Sequence, residues 1–285
     1  MRADRTATAA AAFLRRLSTG GRLSLALIGL VALLAGAAPL LCAHSPRDAS
    51  GPALAPPGGA HLLGTDELGV DLWAQLCFGA RVSLAVGLGT ALLAGLGGAL
   101  AGIAAGYRGG WVDALLMRLI DILIVMPDLP VMIVLAAFFG PSVTTIVVVL
   151  SLFSWVFTAR IVRARVLSLK QRRYIQAAEL AGAGTGYLMR RHFLPEVFPL
   201  AAVSMIRLTG RAIVAEAGLS FLGLGDPTSH SWGMIIHHAV SFNGIYYTDF
   251  WQWWLFYPWL ALTLMVLALA TISRDMERIA DPRMV

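Results

Sequence analysis

The sequence predicts an all-α polytopic membrane protein with six transmembrane helices, on three observations. The 285 residues are 58% hydrophobic and only 13% charged, against roughly 25% Asp, Glu, Lys and Arg in a soluble domain. Apolar residues run on for about 20 positions at a time, enough to cross ~30 Å of hydrocarbon at 1.5 Å per residue. The basic residues fall in a few loops and not along one face. With a mean hydropathy of +0.74, this composition excludes a cytosolic enzyme, a nucleic-acid reader and a disordered tail.

Taken in order, the spans are expected near Leu23–Ala43, Val82–Gly106, Leu115–Phe139, Val143–Ala159, Phe198–Leu222 and Trp251–Ser273. The first is too long for a signal-peptide core. The Leu41-Cys42-Ala43 that ends it offers no small-residue cleavage site, so it is expected to stay. The third is interrupted by Met126-Pro127-Asp128-Leu129-Pro130, a break tolerated at membrane depth only where protein or a water-filled cavity surrounds it. The chain then divides into a cytoplasmic segment 1–22, a first transmembrane helix 23–43, an outer loop 44–81, a helical core 82–273 and a cytoplasmic tail 274–285. Within the core lie a cytoplasmic loop at 160–197 and an outer loop at 223–250.

Orientation follows from the arginines. Arg2, Arg5, Arg15, Arg16 and Arg22 precede the first span, and Arg160, Arg163, Arg165, Lys170, Arg172, Arg173, Arg190 and Arg191 crowd the central loop. Arg274, Arg278 and Arg283 follow the last span, whereas 223–250 holds no Lys or Arg. Positive charge kept on the cytoplasmic side puts both termini and the central loop in the cytoplasm. It also explains a net charge of +6 without nucleic acid. Cys42 and Cys77 read as small apolar fillers. Gly98, Gly102 and Gly106 form a small-residue stripe that suits close approach of a helix, from a partner subunit or from this chain. The Trp/Tyr-rich stretch Tyr246–Trp259 reads as an interfacial aromatic belt.

The central loop is the most informative. Tyr174–Ala181 is a good helix former stopped by Gly182 and Gly184, and Tyr187–Phe193 reads as a second short helix ended by Pro195. Two short helices at a bend, flanked by basic residues, make a knob suited to docking in a groove of a soluble partner.

Here the sequence resembles the permease subunits of binding-protein-dependent ABC importers, whose cytoplasmic loop reads E-A-A, three residues, G, nine residues, I-x-L-P. Ala177, Ala178, Gly182, Leu194 and Pro195 match with the spacing intact, while Gln176 replaces the usual Glu and His192 the usual Ile. Leu63-Gly64-Thr65-Asp66-Glu67-Leu68-Gly69-Val70-Asp71, Gly79–Leu84, Gly109–Asp121, Glu216–Gly225 and Ser231-Trp232-Gly233 resemble the dipeptide, oligopeptide and nickel branch in its C-type subunit. The resemblance implies the type I importer permease architecture. A second homologous permease subunit, two ABC ATPase subunits and a periplasmic or lipid-anchored solute-binding protein are the implied partners, in an inner membrane whose lipid surrounds them. It implies ATPase coupling through Tyr174, Gln176, Ala177, Ala178, Glu179, Gly182, Leu194 and Pro195. Short peptides are the expected cargo, with nickel or a metal chelate as the alternative.

The chain itself carries no phosphate loop. A Walker A motif needs G-x-x-x-x-G-K-[ST], and the only lysine, Lys170, lies between Leu169 and Gln171 with no glycine before it. ATP and magnesium are therefore expected on the partner ATPases, with no cofactor and no catalytic residue here.

Ionisable residues inside spans mark candidates for the translocation path, because each costs roughly 2.5–3.5 kcal/mol facing lipid. They are Asp128 in the third span and Arg207, Arg211 and Glu216 in the fifth, with Asp121 also in the third. Asp128 is expected to pair with one arginine, leaving the other to favour substrates carrying carboxylates. His44, His61, His230, His237 and His238 fall on the outer side, yet no carboxylate or Cys completes a metal-ligand set. An intramembrane serine protease would need G-x-S-x-G and a paired His. Gly218-Leu219-Ser220-Phe221-Leu222-Gly223 is one residue too long, and no His lies in a span. A passive channel gives no reason for a docking knob.

Overall fold

The computed structural model describes residues 16–280. The N-terminal arginines up to Arg15, and Arg283, lie outside them. The architecture is all-α. Five helices are long and apolar enough to cross a membrane, and a pair bent by 90° makes up to a sixth span.

Helix α1 (Thr19–Leu41) starts where Ser18 caps it, its hydroxyl accepting from the Gly21 amide. Ser18 in turn donates from its amide and its hydroxyl to Asp275, at 2.9 and 2.7 Å. The beginning of the first span and the end of the last therefore meet at one end of the molecule.

Helix α2 (Leu72–Arg108) has 37 residues, about 55 Å of helix. It begins ten residues before the expected span because Asp71 caps it, accepting from the Ala74 amide at 2.8 Å. Helices α3 (Gly110–Val125) and α4 (Asp128–Phe139) are the two arms of the bent third span. Met126, preceding a proline, is held in an extended conformation, as proline's ring disfavours helix in the residue before it.

Helix α5 (Val143–Lys170) does not stop at the expected Ala159 but continues helical to Lys170, so the first third of the cytoplasmic loop 160–197 is helix. Then come α6 (Arg173–Leu180), α7 (Thr185–Leu188), a π-helical turn over Met189–Phe193 and α8 (Leu194–Phe221). Pro195 does not end a helix, contrary to expectation. It sits in the first turn of α8, where a missing N–H costs nothing because the first amides of a helix have no partner within it. Helix α9 (Trp232–Ser241), the single turn α10 (Trp251–Trp254) and α11 (Phe256–Ala280) complete the chain.

The glycine stripe is an intrachain seam. A Cβ on Gly98 would strike the Trp155 carbonyl, one on Gly102 would come within 2.5 Å of the Ala159 carbonyl, and one on Gly106 within 2.9 Å of Val166. Helices α2 and α5 thus touch backbone to backbone, the small-residue packing that replaces the hydrophobic drive in lipid. A buried hydrogen bond of 2.6 Å between Thr158 and Ser204 joins α5 to α8.

The expected aromatic belt over Tyr246–Trp259 is only partly exposed. Tyr246, Tyr247, Trp251 and Trp259 are exposed, but Trp253 and Trp254 are buried in the core with Phe242 and Phe250. Cys42, half-buried, and Cys77, buried, are both free thiols.

Candidate functional site

The knob, here called the elbow, is built on its own small core. Val162, Val166 and Leu169 of α5, Ile175 of α6, Leu188 of α7, Phe193 and Val197 form one buried cluster, with Tyr107 at the end of α2 packed against it. Tyr107 meets the Phe193 ring edge-on at 5.4 Å, and its hydroxyl donates to Thr185 at 3.2 Å. The lone lysine explains itself here. Lys170 donates to the Tyr107 carbonyl at 2.9 Å and closes α5 onto α2.

Helix α6 ends in a Schellman turn. Gly182 adopts φ +86, its amide bonds the Glu179 carbonyl, and the Ala183 amide reaches back to Ala178. Only glycine takes that left-handed conformation freely. The same device ends α8 at Gly223, with φ +78 and bonds from Gly223 to Ser220 and from Leu224 to Leu219.

Over this core the residues assigned to coupling face outward. Tyr174, Gln176, Ala177, Glu179, Gly182, Leu194 and Pro195 are exposed, and Ala178 is half-buried against the cluster. Sequence reasoning missed two partners. Leu180 is 90% exposed at the tip, a large apolar side chain with nothing of this chain on it. His192 stands between Tyr174 and Tyr187, with ring centroids 5.7 and 5.8 Å away. It makes a small aromatic group where the family pattern has an aliphatic residue. The departure from that pattern was the signal.

The second feature is a cavity of about 720 Å³ between α4, α5, α8 and α11. Asp128, Arg207, Arg211 and Arg274 line it amid mostly apolar neighbours. Three of the four sequence candidates therefore meet, but the expected pairing does not form. Asp128 accepts only the amide of Leu129, at 2.9 Å, because it begins α4 and turns to its own helix end. Arg207 is taken by Glu277 of α11 in an ion pair, and it also donates to Ser273 at 3.3 Å. Arg211 lies over the Phe157 ring, its guanidinium 4.4 Å from the centroid.

Glu216 is elsewhere. It is buried, outside the cavity lining, and accepts from Ser220 at 2.7 Å, with Ser83 and Ser231 alongside. Among the described residues its one hydrogen-bond partner is a residue of α8 itself, and its second carboxylate oxygen is buried without one. Asp121 pairs with Arg160 at 2.6 Å, and Asp113 with Arg163 through two bonds of 2.5 and 2.6 Å, so both carboxylates of α3 bind α5. A second cavity of about 870 Å³ runs from Arg207 and Glu277 to Arg172 and Pro195 at the elbow. Arg207 lines both cavities.

Residues 44–71 form a cap. Thr65 donates to the Pro52 carbonyl at 2.6 Å and accepts from the Ala55 amide at 2.8 Å. Asp66 accepts from the amides of Leu68 and Val70 and from the Gln75 side chain. His61 bonds Asp71 at 2.9 Å, and His237 bonds the Phe221 carbonyl at 2.7 Å. Among the described residues no three His, Cys, Asp or Glu side chains gather as a metal site. Burial holds the imidazole of His230 below its usual range, with the charge of Arg47 adding to the effect.

Apolar helices long enough to span a membrane, a helical elbow at one end and a cavity lined by charges are the parts of a transporter subunit. Residues 98–285 match the family described as "binding-protein-dependent transport system inner membrane component". The chain belongs to that family, as a multi-pass, non-catalytic permease subunit of an ABC transporter. It is 38% identical over 92% of its length, and 88% of the relative's, to a protein of Brucella suis biovar 1 provisionally named a peptide transport system permease protein. It is 37% identical over 80% of its length, and 71% of the relative's, to the dipeptide transport system permease protein DppC of Bacillus subtilis.

Proposed function

We propose that this chain is one of two homologous permeases of an ATP-driven importer of short peptides. Its elbow docks on an ABC ATPase, and its outer cap meets a solute-binding protein that delivers the cargo. Both termini and the elbow lie in the cytoplasm, consistent with the arginines around α5 and α6 and with the contact of Ser18 with Asp275. The observation that carries the reading is the elbow: residues of the coupling pattern exposed together over a rigid apolar base. Its exposed side chains are placed to enter a groove of a partner. ATP and magnesium belong to that partner. Peptide cargo is supported by what the relatives are named for.

In operation, closure of two ATPases pushes the elbows. Because α5 and α8 both extend from the elbow to the cavity, α8 with Pro199 inside it, that movement reaches Phe157, Arg207 and Arg211 along helix. The test is uptake of labelled dipeptide into proteoliposomes holding the whole importer, with Leu180→Asp placed at the elbow tip. Loss of ATPase co-purification and of ATP-dependent uptake, at unchanged helix content, is expected. Uptake at the wild-type rate would overturn the docking role.

A further inference from the structure

The cavity between α4, α5, α8 and α11 is lined by charges of both signs, and the structure distributes their partners unevenly. Arg207 is neutralised by Glu277. Arg211 is not. Among the described residues no carboxylate pairs with it, and its one contact is the face of Phe157. A guanidinium laid over a ring keeps its in-plane N–H donors open, and Arg is suited to hold a carboxylate through two of them at once. Asp128, at the start of α4, makes no ion pair among the described residues and spends one oxygen on its own helix end. Both side chains are exposed in the single chain, and a charge at membrane depth is costly without a partner, so each is open to a mobile one. Arg274 also lines the cavity and leaves it with more positive than negative charge.

We propose that Arg211 and Asp128 form a two-point transit site for a zwitterion. Arg211 receives the terminal carboxylate of a passing peptide, and Asp128 its terminal ammonium. The apolar remainder of the lining, including Met132, Leu150, Phe153 and Val266, accepts side chains without selecting among them. At about 720 Å³ the cavity falls in the size range of small-molecule sites. The arrangement suits a permease that receives selected cargo and needs to hold only what all short peptides share. The inference rests on the peptide reading and adds to it the groups recognised inside the membrane.

The experiment is saturation-transfer NMR on the purified importer complex without its binding protein, using dialanine, dialanine amide and N-acetyl-dialanine. Dialanine should receive saturation from the wild-type complex and the two blocked peptides should receive less. Arg211→Gln should weaken dialanine about tenfold, the worth of one charge-assisted hydrogen bond, and leave the amide unchanged. Arg211→Lys should restore part of the preference for the free carboxylate, which a misfolded variant could not do. Asp128→Asn should erase the difference between dialanine and its N-acetyl form. No saturation of dialanine by the wild-type complex, or an equal fall for acid and amide in Arg211→Gln, overturns the site. Uptake in proteoliposomes is read separately. Intact discrimination with no ATP-driven uptake supports the site and counts against the import reading alone.

Discussion

The elbow at one end of the molecule and the cap at the other are both rigid, and they are made rigid by opposite means. The elbow is helical through α6, α7 and the turn into α8, and its shape is fixed by an apolar cluster around Ile175, Leu188 and Phe193. The cap is irregular chain with only isolated bridges, Ala49 to Val70 and Thr65 to Asp71. Backbone bonds such as Ser50 to Gly69, Leu54 to Asp66 and Thr65 to Ala55 cross it singly, and unpaired buried amides are costly. Side chains supply the rest: Thr65 and Asp66, both buried, accept or donate five hydrogen bonds between them. The comparison separates two uses of a sequence motif. In the elbow the patterned residues mostly face outward, whereas in Leu63–Asp71 the polar ones face inward and hold the loop together.

The comparison is broken first at Asp66. Replacing it with Ala strands two amides and the Gln75 side chain, and should cost about 3 kcal/mol or more, read as a large drop in the melting temperature of the purified protein. An unchanged melting temperature would mean that the cap does not depend on its polar network. Ile175→Ala, a cavity in the elbow core, should cost about 2–4 kcal/mol. Hydrogen exchange should accelerate in 173–193 while α1 and α2 stay protected; uniform acceleration would show that the elbow has no separate core. Gly182→Ala places a Cβ in a left-handed turn with open space around it. It should cost about 1–2 kcal/mol, the steric penalty alone, and the same substitution at Gly223 should match it.

At the surface, Glu179→Ala should change stability by less than about 0.5 kcal/mol while lowering ATPase co-purification, which parts the working face from its base. The smallest effect expected is that of pH on the outer side. The folded His230 holds its proton less readily than the unfolded chain does. The unfolded state therefore binds more protons as pH falls through the usual imidazole range, and stability declines there. Hydrogen exchange across 226–241 should rise between about pH 7.5 and about pH 5, and His230→Gln should flatten that rise.

Much was legible in the sequence because its rules are local. Lipid demands long apolar runs, the arginines report sides, and Gly182 with its spacing to Leu194-Pro195 marks the elbow before any coordinates. The helix extension past Ala159 was not legible, because Arg160, Arg163 and Arg165 look like loop and are held in helix by Asp121, Asp113 and Glu196 on other elements. Nor was the role of Pro195, which can close one helix or open the next; the π-turn before it decided.

By itself, then, the sequence determined which segments are apolar enough to cross a membrane, where along the chain the elbow lies, and that its one lysine sits in no phosphate loop. Tertiary structure alone decided which charges meet: Glu277 claims Arg207, and Phe157 holds Arg211. Hydropathy and turns are properties of neighbours along the chain. The partner of a charge is set by how helices rotate and bend against each other, here by the 90° break at Pro127 and the glycine seam between α2 and α5.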